Sequence, residues 1–374
     1  NNLQVRSANL GVDQSRALQK TGFDPAKTEF TFSQDPSGGG SSDNSLGVNQ
    51  TFAWPGLYKN QRTVLNLQTR LAEKSRNFTQ AEIIRDTKLA YYGYLFSLRT
   101  LRTLDFQDSV YRNFISKSEI RFKTGETSNL ELITARNKYQ EVQALKNAAQ
   151  TNLKIQELNL QQLLNITVPI RLAENGLPIL LVNEQGTDFT VSNPLVGYYQ
   201  QQIEIANAQI KLQQSRAMPD LTLGYSQQLV IKSFDPAKIN RGYTPGTRIA
   251  GIQLGIAVPL FNGAGRARVN SEKLAAQIAQ TDYMRIQAQF QTQYRQALQE
   301  YIKNKQLVDY YTSSGLKQAD EQLRIAQVSF DLGEIGYIEF IQNISLAIQS
   351  RLTYLETVNH LNQSAIQLHY LKGE

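Results

Sequence analysis

The chain has 374 residues, a formal net charge of +7 and no cysteine. No disulfide framework, thiolate metal site or cysteine nucleophile is available to it. Lys and Arg alternate with Asp and Glu without a basic stripe or a stacked-aromatic module, so the positive balance does not mark a nucleic-acid partner. No stretch of 18 apolar residues exists, which excludes an ordinary transmembrane helix but not a membrane β-barrel. Asn1-Asn2-Leu3 reads as the interior of a helical pattern, as expected of a mature, trimmed or excised chain.

Residues 1–22 read as a polar helix. A strand follows over 27–34, with Phe30 and Phe32 on one face and Thr31 and Ser33 on the other. Residues 35–45 are all Gly, Ser, Asp, Asn and Pro, a solvent loop. A second strand is expected over 46–55, where Leu46, Val48, Phe52 and Trp54 alternate with Gly47, Asn49, Thr51 and Ala53. Residues 57–122 hold no Pro and the single Gly93, so one helix there would run about 100 Å at 1.5 Å per residue. A turn over 124–129 precedes a helix over 130–165, and residues 166–192 form a connector. Asn193-Pro194 then caps and opens a helix over 194–217. Strands follow over 220–231 and 248–259. In the first, Leu221, Leu223 and Tyr225 alternate with Thr222, Gly224 and Ser226; in the second, Ile252, Leu254, Ile256 and Val258 alternate with Gly251, Gln253, Gly255 and Ala257. A loop over 233–247 separates them. Helices over 263–331 and 337–371, with a turn between, complete the chain.

The chain says the same thing twice. RFKTGETSNLELITA at Arg121–Ala135 is answered by SFDLGEIGYIEFIQN at Ser329–Asn343. Phe122, Gly125, Glu126, Leu130, Glu131 and Ile133 meet Phe330, Gly333, Glu334, Ile338, Glu339 and Ile341 at a constant separation of 208 residues. Residues 1–165 form one copy and 193–374 the other. The predicted fold is mainly α, two tandem units of long helical hairpins with four strands per chain.

Four strands with one apolar and one small or polar face cannot close a sheet alone. That alternation is the wall of a lipid-facing barrel with a wet lumen, where open edges are forbidden, so closure requires several chains. The long helices are too polar for a buried core. Gln277, Gln280, Gln287, Gln291 and Gln299 run beside Ala275, Ala276, Ala279, Ala288 and Ala297. Water on two sides with small residues for close helix contact describes the wall of a tube.

In combination these features resemble the TolC-like outer membrane factors, and within them the branch that serves heavy-metal efflux pumps of the RND type. The segments that carry the resemblance are Thr51–Gly56, Arg121–Glu131, Asn193–Gln227, Val258–Arg268 and Phe330–Phe340. The resemblance implies a homotrimer in the Gram-negative outer membrane. Its twelve strands would close a β-barrel and its twelve helices a coiled-coil α-barrel in the periplasm. The tip would dock onto a periplasmic adaptor and, with it, an inner-membrane pump. The loops over 35–45 and 233–247 would face outside, and Trp54, Pro55 and Pro259 would lie at the junction of barrel and tunnel. A lipid-acceptor cysteine common in such proteins is absent, and the connector leaves room for only a small collar. The implied function is a passive exit duct with no enzymatic activity, no cofactor and no resident metal. The rival reading is a soluble helical-hairpin structural or adaptor protein whose strands form a cap.

By the same resemblance, Glu131 and Glu339 stand where side chains narrow the tunnel, with Gln342 in place of a second acidic ring residue. Phe330 and Ile335 stand where the family uses a tyrosine and an arginine to close. The alternative for Glu131 is a capping box, Ser128-x-x-Glu131; Glu339 has only Gly336 at the matching place. Gly125, Glu126, Thr127, Gly333 and Glu334 match the adaptor-docking tip, against the plainer reading of an ordinary helical-hairpin turn. His360 and His369 are nine residues apart with no ligand partner, and Met218 and Met284 make no thioether relay; these read as structural.

Overall fold

The computed structural model describes residues 2–35, 43–170, 176–182, 193–229 and 248–374. The loop expected over 233–247 lies outside the described residues, as do positions 36–42 of the first loop and 171–175 and 183–192 of the connector. In chain order the elements are α1 (Leu3–Gln19), a 3-10 turn at Lys20–Gly22, β1 (Glu29–Asp35), β2 (Asp43–Phe52), α2 (Pro55–Lys123) and α3 (Asn129–Leu164). Then come α4 (Pro194–Ser215), β3 (Asp220–Leu229), β4 (Arg248–Ala257), α5 (Gly263–Tyr310), a π turn at Tyr311–Gly315, α6 (Leu316–Asp331) and α7 (Tyr337–Lys372). No described helix is long and apolar enough to cross a membrane.

Two compact units divide the chain. One holds Asn1–Ser7, Asn77–Val196 and Ile286–Glu374, the other Ala8–Arg76 and Gly197–Arg285. Each takes segments from both halves of the duplication, so the compact units do not follow the repeat boundary.

The second unit carries the sheet, antiparallel in the order β1-β2-β3-β4. Its register sorts the alternating residues into rows. Phe30, Val48, Tyr225 and Ile252 lie side by side across all four strands. Phe52, Leu221 and Ile256 form a second row, and Gln50, Leu223 and Leu254 a third. The opposite face carries Thr31, Gly47, Ser226 and Gly251 in one row and Thr51, Thr222 and Gly255 in another. Small residues there leave room for polar side chains to meet, as when Thr51 Oγ1 and Thr222 Oγ1 approach to 3.1 Å. Beside the sheet, α2 and α4 pack through Val64, Ala208 and Leu212.

In the first unit, α2, α3, α6 and α7 share one core. Tyr111 and Phe114 of α2, Ala135 and Val142 of α3, Leu323 and Phe330 of α6 and Ile344 and Ile348 of α7 are all buried in it. A buried carboxylate, Asp108, accepts from Arg112 at 2.9 Å, from Lys146 at 3.2 Å and from the Gln143 amide, which ties α2 to α3. Burying a charge is tolerable because its donors come with it. The connector is held by side chains from four helices. Tyr94 of α2 donates to the Ile170 carbonyl, and Glu157 of α3 accepts the Ile170 N–H at 3.1 Å. Lys154 and that N–H hold the Glu157 carboxyl below its usual range. Further on, Asn362 of α7 brackets the backbone of Pro178 and Leu180, both at 2.8 Å, and the Tyr301 hydroxyl of α5 accepts from Val182 N–H.

The helix expected over 263–331 is not one α-helix. Tyr311–Gly315 is a π turn between α5 and α6, with the Leu316 N–H reaching the Tyr311 carbonyl. Thr312, Ser313 and Ser314 turn their hydroxyls back onto carbonyls of the preceding turn, which competes with regular helix bonding. The π turn adds one residue to that turn, so everything in α6 is rotated by about 100° relative to a continuous helix.

Candidate functional site

The two hairpin turns repeat each other bond for bond. After α2, Gly125 N–H donates to the Phe122 carbonyl at 3.1 Å and Glu126 N–H to the Arg121 carbonyl at 2.8 Å. After α6, Gly333 and Glu334 donate to Phe330 and Ser329 at the same two distances. This is a Schellman ending, and its left-handed residue is glycine in both copies, at φ +76° and +75°. A side chain there costs about 1–2 kcal/mol in L-amino-acid backbone strain. Gly125→Ala should therefore open the turn about tenfold more often, read as faster tryptic cleavage after the exposed Lys123. Cleavage at the wild-type rate would show that the turn does not need its glycine.

Both acidic residues beside these glycines are exposed. Thr124 Oγ1 donates to Glu126 at 3.0 Å, and Ser329 Oγ donates to Glu334 at 2.8 Å. An ion pair between Lys117 of α2 and Asp331 of α6 joins the two hairpins. A cavity of about 450 Å³ lies between the turns, lined by Lys117, Arg121, Glu126, Phe330, Leu332 and Gly333. So Glu126 and Gly333, picked out from separate copies, share one surface.

The paired glutamates differ. Glu131 is buried, at 6 % exposure, whereas Glu339 is exposed. The Ser128 hydroxyl accepts the Glu131 N–H at 3.4 Å, which is the forward half of a cap. The Glu131 carboxylate does not complete the box on Ser128; Thr127 Oγ1 donates to it instead, and its Oε1 is left without a partner among the described residues. In the second copy Gly336 supplies no side-chain cap, and Glu339 lies exposed in the first turn of α7. Gln342 is exposed.

Phe330 is buried within this chain. It is 4 % exposed and stacks on Phe340 at 4.3 Å, with Phe114 packed against both. Its other neighbour is the Arg121 guanidinium, 5.4 Å from the ring centre. Ile335 is half-buried against the same cluster and also lines a groove of about 570 Å³ with Lys317, Glu321, Ile325, Ser329 and Asn343. Phe114 and Phe340 were not singled out by the sequence, although each falls on the apolar stripe of its helix.

At the other candidate site, Pro55 is the first residue of α2, where its missing N–H costs nothing. The strand expected to reach residue 55 ends at Phe52. Ala53 N–H instead donates to the Tyr58 hydroxyl at 3.0 Å, and the Trp54 carbonyl accepts Leu57 N–H at 2.8 Å, so residues 53–54 belong to the helix start. Trp54 is exposed. Pro259 lies in the link between β4 and α5, amid exposed Val258, Leu260 and Phe261. The apolar rows of the sheet are exposed too: Phe30, Ile252 and Leu254 at 78–80 % and Leu223 at 50 %. Leu223 shares its row with Gln50, whose amide is satisfied by Thr28 and the Ala26 carbonyl. Among the described residues no three His, Cys, Asp or Glu gather at metal-binding distance, and burial keeps His369 toward its neutral form.

No family model and no curated protein sequence matches the chain. Solved structures do. The outer membrane channel CmeC of Campylobacter jejuni aligns with all of this chain over 83 % of its own length, at 17 % identity and a TM-score of 0.79. CusC, described as forming a transmembrane channel, aligns over 89 % of its length at 17 % identity and a TM-score of 0.80. A membrane protein from Pseudomonas aeruginosa aligns over 91 % of its length at 16 % identity and a TM-score of 0.83. Each match covers the whole of this chain, with its helices and its four strands. The chain has the TolC-like fold of outer membrane efflux channels.

Proposed function

We propose that this chain is one protomer of a trimeric outer-membrane channel, the exit duct of a tripartite RND-type efflux system. The observation that carries the reading is the sheet. One apolar row crosses all four strands and two more run beside it, broken only at Gln50, and β1 and β4 are left as open edges. Exposed apolar rows of this extent are a liability in water and a requirement in lipid. An open edge is a liability in both, and a bilayer does not tolerate it at all. Because β1 and β4 run antiparallel to one another, β4 of one chain can pair with β1 of the next, and repetition closes a barrel. Three copies give twelve strands. The Thr, Ser and Gly rows then line the lumen. The alternative, a soluble hairpin protein, leaves these rows and edges uncovered. In detergent the protein should run as three chains; a monodisperse monomer that keeps its strand signal in far-UV dichroism would overturn the trimer.

The duct is passive, and the pump and adaptor supply energy and choice of cargo. Heavy-metal ions are the cargo class implied by the branch that the sequence resembles, and they would pass as substrate. The tip turns, with Gly125, Glu126, Thr127, Gly333 and Glu334, present the surface offered to the adaptor. The cavity shared by Glu126 and Gly333 supports that reading.

Within the duct, Glu339 is the exposed carboxylate that would face a narrow tip, and Glu131 is its counterpart held by Thr127 and Ser128. Like charges brought together in a constriction favour cations. Glu339→Gln should lower cation preference in a planar bilayer without lowering trimer yield. Glu131→Gln should change selectivity less and loosen the first turn of α3 more. If Glu339→Gln leaves selectivity unchanged in a folded trimer, the gate lies elsewhere.

A further inference from the structure

Away from the tip, a cavity of about 400 Å³ opens between α2 on one side and α6 and α7 on the other. It is lined by Arg99, Arg102, Thr103 and Phe106 of α2, Leu316 and Asp320 of α6, and Arg351, Tyr354 and Leu355 of α7. Its size falls in the range of about 300–1,000 Å³ usual for small-molecule sites.

The charges in it do not balance. Arg351 donates to Asp320 Oδ1 through Nε at 3.0 Å and Nη2 at 2.6 Å, and its guanidinium lies 5.1 Å from the centre of the Phe106 ring. That pair is neutral overall. Arg99 and Arg102 remain, three residues apart on one face of α2, and neither has a carboxylate partner among the described residues. Neighbouring like charges at that spacing oppose the helix, and an anion between them would relieve the repulsion. Guanidinium groups hold carboxylates and phosphates through paired, directional bonds.

The rest of the lining is apolar or aromatic. Phe106 is 39 % exposed, and Leu316, Tyr354 and Leu355 are half-buried at the cavity wall. Burial raises the Tyr354 phenol, so it stays neutral and acts as a ring surface with a hydroxyl. The π turn directly precedes the α6 contribution. Gly315 lets the Tyr310 and Tyr311 rings close over it, and Tyr311 meets Tyr354 edge-on at 6.1 Å. By rotating α6, the extra residue carries Leu316 and Asp320 to the positions where they meet the cavity and Arg351. In a continuous helix they would turn away by about 100°. The irregularity therefore shapes this wall.

We propose that this cavity binds a small organic anion with an apolar ring, an aryl carboxylate being its simplest form, with Arg99 and Arg102 on the carboxylate and Phe106 and Tyr354 beside the ring.

The test uses the purified full chain in detergent and 4-fluorobenzoate followed by fluorine NMR. A saturable shift is expected, absent with neutral 4-fluorobenzyl alcohol and only weakly competed by inorganic phosphate. The double variant Arg99→Gln with Arg102→Gln should bind at least tenfold more weakly with unchanged far-UV dichroism. Arg102→Lys keeps the charge and should weaken binding less than Arg102→Gln, which covers the case where the double variant misfolds. No saturable shift, equal binding of the neutral alcohol, or undiminished binding by a folded double variant would each overturn the proposal. Phosphate competing as well as benzoate itself would overturn the ring's part in it.

Discussion

Leu223→Arg should stop the protein from assembling in a bilayer, while Thr222→Arg, one residue away, should not. Leu223 is 50 % exposed on the apolar face, in register with Leu254 of β4. An arginine on the lipid face near the bilayer midplane costs about 2–4 kcal/mol per chain. Three chains in one barrel multiply that penalty. Thr222 lies on the other face, in a row with Thr51 and Gly255. In the proposed barrel that row borders water, so an arginine there keeps its hydration and adds a positive charge to the lumen. Membrane fractionation and heat-resistant oligomer yield should fall for Leu223→Arg and hold for Thr222→Arg, whose single-channel conductance or selectivity should change instead. Equal behaviour of the two variants would mean that the faces are wrongly assigned.

The second large effect is expected at Phe330. Truncating a buried phenylalanine costs about 3–5 kcal/mol, because the transfer loss and the cavity add. Phe330 stacks on Phe340 at 4.3 Å and contacts Phe114, so Phe330→Ala removes the centre of a three-ring cluster joining α2, α6 and α7. Aromatic pairs in such offset arrangements are worth about 0.5–1.5 kcal/mol beyond the area they bury. The variant should show a lowered thermal midpoint and faster hydrogen exchange in the last turns of α6. Molecules that remain folded should conduct with ordinary selectivity. Normal stability with altered ion flow would instead make Phe330 a lining residue, as its place in the resemblance implies.

Strand faces were legible because a period of two leaves no ambiguity: Leu221, Leu223 and Tyr225 against Thr222, Gly224 and Ser226 admit one reading. The rows were not. Which residue of β1 stands beside Val48 depends on register, and nothing local to Phe30 states it. The turn glycines were legible because a left-handed helix ending selects glycine, and the duplication doubled the signal. The same duplication hid a difference. Glu131 and Glu339 occupy one motif position, yet Ser128 and Thr127 surround the first and Gly336 opens the second. A hydroxyl partner one residue before the cap is a weak cue, and it decides where the carboxylate goes. Phe330 was read from its place in the resemblance, whereas its burial follows from Phe114 and Phe340, residues distant in the chain.

The π turn is not legible in the sequence, for a physical reason. Tyr310 to Leu316 continues the helical pattern without Pro, and the cue lies in Thr312-Ser313-Ser314, whose hydroxyls bond back to the backbone, followed by Gly315. Such clusters inside an otherwise unbroken helical pattern mark places to expect a change of phase. Pro55 illustrates the opposite case. The resemblance implies its place at the strand-to-helix passage, and its role at the first helical position follows from having no N–H to lose. What moved was the strand end, because the Tyr58 hydroxyl takes the Ala53 N–H out of the ladder.

Copies of this chain are proposed to close a water-filled path through lipid, and planar-bilayer recording of the purified protein decides it. Insertion should appear as discrete, repeatable conductance steps from oligomers of three chains, with cation preference that falls in Glu339→Gln. A folded protein that stays in solution without detergent and gives no steps in the bilayer would contradict it.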